Sequence, residues 1–88
     1  MKRYSFIYVV AKADLALVNE LKEYFEQKIK VEIIDYDVTG VPLARVTLRR
    51  NCNDYEKELK RIEEILESVG LVVTLKGVQH NGQSIVVV

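Results

Sequence analysis

The sequence predicts one α+β domain in which two helices alternate with strands, and three observations carry that expectation. Residues 31–50, VEIIDYDVTGVPLARVTLRR, form two runs of strand-favouring residues that meet at Gly40. Sequence with helical periodicity flanks this pair on both sides. Near the C-terminus, Asn81 and Gly82 form a strong hairpin signal, because that pair tolerates the positive φ angles of a type I′ turn.

Taken in order, residues 4–10 alternate on both phases, with Tyr4, Phe6, Tyr8 and Val10 on one and Ser5, Ile7 and Val9 on the other. Neither phase is decisively polar, so this run reads as a central strand. Asp14 is placed to cap a helix whose apolar positions Val18, Leu21, Phe25 and Ile29 recur every three or four residues. A tight turn at Thr39 and Gly40 pairs Ile33 with Val46, Val31 with Leu48 and Glu32 with Thr47 in the following hairpin. One face of that hairpin is apolar. The other carries Ile34, Tyr36, Leu43, Arg45, Thr47 and Arg49 and is mixed.

After Arg50, Asn53 followed by Glu56 resembles a capping box. Tyr55, Leu59, Ile62, Leu66 and Val69 mark one helical face, and Gly70 stands where a left-handed terminator belongs. Glu56 with Lys60, and Lys60 with Glu64, are spaced as i,i+4 ion pairs on the outer face. Residues 71–78 form the fourth strand and residues 84–88 the fifth. The fifth ends Ile85, Val86, Val87, Val88 with no charge, a composition that edge strands avoid because it invites pairing with another chain. The order β-α-β-β-α-β is the ferredoxin-like plan, an antiparallel sheet with both helices on one side. With the added C-terminal hairpin strand, connection rules favour the spatial order 5-4-1-3-2. A swapped or differently wound α+β sandwich is the alternative.

The 88 residues make one domain, small enough that its core is marginal unless both sheet faces find cover. Association with a second copy is expected on that ground. Thirteen basic and thirteen acidic residues cancel, which disfavours a polyanion or anionic membrane as partner. Nothing approaches membrane-spanning length, and a single Cys excludes an internal disulfide and suits a reducing cytoplasm. The expected localisation is cytoplasmic.

No catalytic or metal motif stands out, so the sequence is read as that of a non-enzyme with no cofactor. A lone Cys52 and a lone His80 cannot assemble a zinc site, and the four glycines are never clustered into a phosphate-cradling loop. Cys52, beside Arg49 and Arg50 at a helix start, reads either as a loop thiol or as one with a lowered pKa. Asp35 and Asp37 share a strand face and read either as solvated or salt-bridged carboxylates or, if enclosed, as a pair that repels into a raised pKa, which with Cys52 is the remaining route to an enzyme. Tyr4, Phe6 and Tyr8, with Arg45 and Arg49 on the third strand, echo a base-stacking sheet, or else the aromatics lie buried beneath the helices.

Residues 31–46, VEIIDYDVTGVPLARV, followed by an acidic helix and Val69, Gly70, Leu71, Val72 and Val73, resemble the second half of NIL domains, a branch of the ACT-like superfamily. The first half, with Ala16, Leu17, Val18, Leu21 and Phe25 on a helix, is similar more loosely. The resemblance implies a regulatory module that dimerises through its sheets and binds an amino acid near the subunit interface, methionine in the importer ATPases that carry it. Two positions depart from the pattern. Ala44 stands where NIL domains commonly have Gly, and the loop of Lys12, Ala13 and Asp14 lacks the Gly that many ACT domains place against their ligand. An added methyl blocks close backbone approach, so the expectation is either effector binding or an assembly role alone.

The functional expectation is therefore a non-catalytic regulatory or assembly module, homodimeric, with a nucleic-acid-binding sheet as the alternative. Lys12, Ala13 and Asp14 are the candidate ligand loop, where free N–H groups would receive a carboxylate. Ile34, Tyr36, Leu43, Ile85, Val86 and Val87 are the candidate interface.

Overall fold

Alternation along the first strand, β1 (Lys2–Ala11), sorts the molecule into a packed side and an open side. Tyr4, Phe6, Tyr8 and Val10 are buried, while Ser5, Ile7 and Val9 between them are only half-buried. The computed structural model describes residues 2–25, 29–34, 40 and 42–87, with the side chains of residues 74, 75, 86 and 87 excepted. A short 3-10 turn (Lys12–Asp14) leads from β1 into α1 (Leu15–Tyr24). Then follow β2 (Ile29–Ile34), β3 (Leu43–Cys52), α2 (Tyr55–Ser68), β4 (Val73–His80) and β5 (Gln83–Val87). The strands form one antiparallel sheet in the order β2-β3-β1-β4-β5, which reads 5-4-1-3-2 from the other edge.

Both helices contribute to the core on the Tyr4–Val10 phase of β1. Val18 and Leu21 of α1 and Ile62 and Leu66 of α2 are buried with Phe6, Tyr8, Val46, Leu48 and Val78. Each such apolar side chain contributes about 1.5–3 kcal/mol of burial. Phe25, just past α1, packs with the Arg50 guanidinium 5.3 Å and the Arg61 guanidinium 5.5 Å from its ring centroid. This ties the end of α1 to β3 and α2 through cation–π attraction. At the other end Tyr4 stacks with Tyr55 at 5.5 Å and with His80 at 4.8 Å, and His80 Nδ1 lies 2.9 Å from the Arg3 carbonyl.

The structure departs from the sequence reading in several places, and β4 begins at Val73 and runs to His80 where the sequence pattern predicts residues 71–78. Ile29 opens β2 opposite Leu48 instead of ending the first helix, because α1 stops at Tyr24 and Phe25 is extended. Its helical spacing also fits a strand period of two with Val31 and Ile33. The central hairpin is offset by two residues: Val31 pairs with Val46, Ile33 with Ala44 and Glu32 with Arg45. An even offset keeps every side chain on its face, so the hydrophobic pattern alone does not distinguish the two registers. The α2 cap is Asp54, not Asn53: its carboxylate accepts from the Glu56 N–H at 3.1 Å and the Lys57 N–H at 3.4 Å. The α2 ion pairs are Arg61 with Glu58 at 2.7 Å and Lys76 with Glu63, while Lys60 closes on neither Glu56 nor Glu64. The proposed turn at Thr39 and the pair Asp35 and Asp37 lie outside the described residues.

Both glycine signals hold. Gly70 (φ 79°) follows α2 with its N–H on the Glu67 carbonyl and the Leu71 N–H on the Leu66 carbonyl, each at 3.0 Å, which is a Schellman stop. Asn81 (φ 53°) and Gly82 (φ 77°) turn β4 into β5.

The cap assignment predicts that Asp54→Ala lowers stability by about 1 kcal/mol in thermal unfolding, whereas Asn53→Ala stays within about 0.5 kcal/mol. The Tyr8 hydroxyl is buried without a hydrogen-bond partner, and burial first, then Glu63 and Glu58, push its pKa above the ordinary 10.0. The folded chain therefore keeps this proton at a pH where the unfolded chain has lost it, so stability is intact below about pH 10 and falls as pH rises past it. Urea unfolding of Tyr8→Phe should lack that alkaline component and show unchanged or higher stability near neutral pH, by up to about 2 kcal/mol.

Candidate ligand-binding face

The side of the sheet opposite the helices is an open groove of about 610 Å³, within the range of small-molecule sites. The antiparallel register sets its residues in rows across the strands. At one end Arg49, Ser5, Gln79 and Ser84 lie abreast. The next row is Lys30, Thr47, Ile7 and Gly77, and the third is Glu32, Arg45 and Val9. Ile34 and Leu43 close the other end as a cross-strand pair.

Strand alternation puts these residues together, since those on β1, β3 and β4 sit one step from a buried core residue on their own strand and the cross-strand register brings Lys30, Glu32, Ile34 and Ser84 alongside them. Thr47 lies between Val46 and Leu48 and is itself 8% exposed, the one buried polar residue among those described. Gly77, next to the buried Val78, has no side chain, so the groove floor is low beside Ile7. Lys30 pairs with Glu32 at 3.7 Å. Among the described residues Arg45 and Arg49 make no ion pair, and both are exposed. The result is a floor of Ile7, Val9, Thr47 and Gly77 with donors at one end, apolar side chains at the other and uncompensated guanidinium groups above it.

Sequence reasoning found several of these residues without finding the groove. Ile34 and Leu43 do lie together, but on this face near the β2 edge, while Ile85 is on β5 at the opposite edge and 44% exposed. Ile34 and Leu43 therefore do not share a patch with Ile85. Tyr36 lies outside the described residues, and Val86 and Val87 are on β5. In the loop Lys12, Ala13 and Asp14, the Lys12 N–H donates to the Pro42 carbonyl at 2.9 Å, so it is not free for a carboxylate. Asp14 sits at the start of α1, yet its side chain makes no capping bond. Tyr4, Phe6 and Tyr8 are buried under the helices while Arg45 and Arg49 project on the opposite side, so the stacking platform is not assembled.

Cys52 is the last residue of β3 and buried, not a loop thiol. Burial, then Glu58 and Asp54, raise its pKa above the ordinary value and outweigh the opposing pull of Arg50. No group of three or more His, Cys, Asp and Glu residues that could hold a metal occurs among the described residues. No helix among them is long and apolar enough to cross a membrane. A scan against protein-family models finds no match to this chain, and neither does a search of curated proteins.

The raised Cys52 pKa predicts slow alkylation by iodoacetamide near neutral pH in the folded chain and fast alkylation after unfolding. Equal rates in the two states would place the thiol at the surface.

Proposed function

We propose that the chain is a non-catalytic regulatory or assembly module, ferredoxin-like in plan and ACT-like in type, that works as a cytoplasmic homodimer. The observation that carries this reading is the β5 edge. Nothing among the described residues pairs with its outer side, no residue from Ile85 to Val87 is charged, and Ile85 is exposed. An antiparallel meeting of two β5 strands across a twofold axis satisfies both free backbone edges with one contact. The strand order with a helix after β1 and after β3 supports the ferredoxin-like plan. The cytoplasmic placement rests on the lone cysteine.

An amino-acid-like effector belongs to this reading as its regulatory half. The Lys12–Asp14 turn is a weaker place for it than the open groove, because one of its N–H groups is already bonded.

Light scattering should give twice the 10.1 kDa chain mass. Ile85→Lys, which sets like charges against each other across the axis, should weaken the dimer roughly tenfold or more. A monomer at every concentration, or a dimer indifferent to that substitution, contradicts the β5 contact. A thermal-shift screen against the amino acids tests the effector half: a melting point that no amino acid moves leaves only assembly.

A further inference from the structure

We propose that the open groove takes an amphipathic organic anion, with a carboxylate head at the Arg49 end and an apolar tail running toward Ile34 and Leu43. The inference does not need the dimer, since every residue of the groove comes from one chain.

Charge is the first argument. The groove carries Lys30, Arg45, Arg49 and Lys76 against Glu32. With Lys76 taken up by Glu63 of α2, three cations against one carboxylate leave a surplus of two in a chain whose thirteen basic and thirteen acidic residues cancel. Glu32 is held by Lys30 and lies opposite Arg45, so the unanswered charge falls chiefly on Arg49. The row beside Arg49 supplies the Ser5 and Ser84 hydroxyls and the Gln79 amide, all able to donate, and no carboxylate. Guanidinium with neutral donors is the chemistry that holds a carboxylate head.

Polarity is the second argument. From Arg49 to Leu43 is six residues of strand, about 20 Å. The donor row stands at one end and the aliphatic pair Ile34 and Leu43 at the other, with Ile7 and Val9 of β1 between them and Lys30, Glu32 and Arg45 along the β2 and β3 side. A ligand charged at both ends would leave one end on Ile34 and Leu43, and a wholly apolar one would leave Arg49 unanswered. Single-stranded nucleic acid lacks its stacking partners here, because the aromatics of β1 are buried on the other side. A second copy laid face to face would set its cationic surplus against an identical one.

The test titrates the intact chain with octanoate, butyrate and octylamine, followed by amide NMR and calorimetry. Octanoate should move the resonances of Ser5, Ile7, Thr47 and Gly77 and bind more tightly than butyrate, while octylamine leaves them in place. Arg49→Gln should weaken octanoate about tenfold without changing the melting temperature, and Ile7→Ser, one row from Arg49 and within reach of an eight-carbon chain, should narrow the gap between octanoate and butyrate. Absence of octanoate binding, equal binding by Arg49→Gln, or equal binding of octylamine overturns the proposal. So do shifts on this face that follow protein concentration without ligand, which would assign the groove to a second copy, or shifts given by single-stranded RNA and not by octanoate.

Discussion

Everything in this fold depends on the phase of β1. It is the central strand, paired along its whole length with β3 and over most of it with β4. Its alternation is therefore imposed on both neighbours. With Tyr4, Phe6, Tyr8 and Val10 under the helices, Val46, Leu48 and Val78 must follow them inward, and Arg45, Thr47, Arg49 and Gly77 must face away. A slip of one residue would bury Ser5 and Arg49 and expose two tyrosines and a phenylalanine. Two large aromatic side chains, Phe6 at 0% and Tyr8 at 1% exposure, hold the phase by an energy no surface interaction here approaches.

The helices shelter the middle of the sheet and not its margins. Ile29 packs against the core, yet Val31 and Ile33, on the same face of β2, are 41% and 53% exposed. The β5 margin has the same character at Ile85. Two short helices cannot roof five strands, and that imbalance is what the homodimer reading draws on. The uncovered face differs from both margins, because it is neither greasy throughout nor fully polar. It sets aliphatic residues of β1 beside charged residues of β2 and β3, which suits recognition of a small molecule better than it suits a dry protein contact.

How much of this could be read in advance depended on whether the signal was local. The turn at Asn81 and Gly82, the stop at Gly70 and the buried face of α2 are encoded within a few residues, and the structure has them where the sequence put them. The hairpin register was not legible, because hydrophobic alternation encodes parity and an offset of two preserves it. Ile29 obeyed both the helical and the strand period. Asn53 and Asp54 are adjacent residues of equal capping ability, and only backbone geometry chooses between them. The groove could not be found by motif, since it joins Ser5, Lys30, Arg45, Arg49 and Ser84 from four strands. Its one early trace was the mixed face of β3, Leu43, Arg45, Thr47 and Arg49, which gains meaning only once Ser5 and Gln79 lie beside it.

The sorting of side chains by β1 can be measured directly by adding an inert water-borne paramagnetic probe and reading the relaxation of side-chain NMR signals. The account predicts strong broadening at Ile7, Ile34 and Leu43 and none at Phe6, Val46, Leu48 or Ile62. Broadening at Phe6 and Val46 with Ile7 protected would mean that the central strand is turned the other way, and the groove and all that is argued from it would fall.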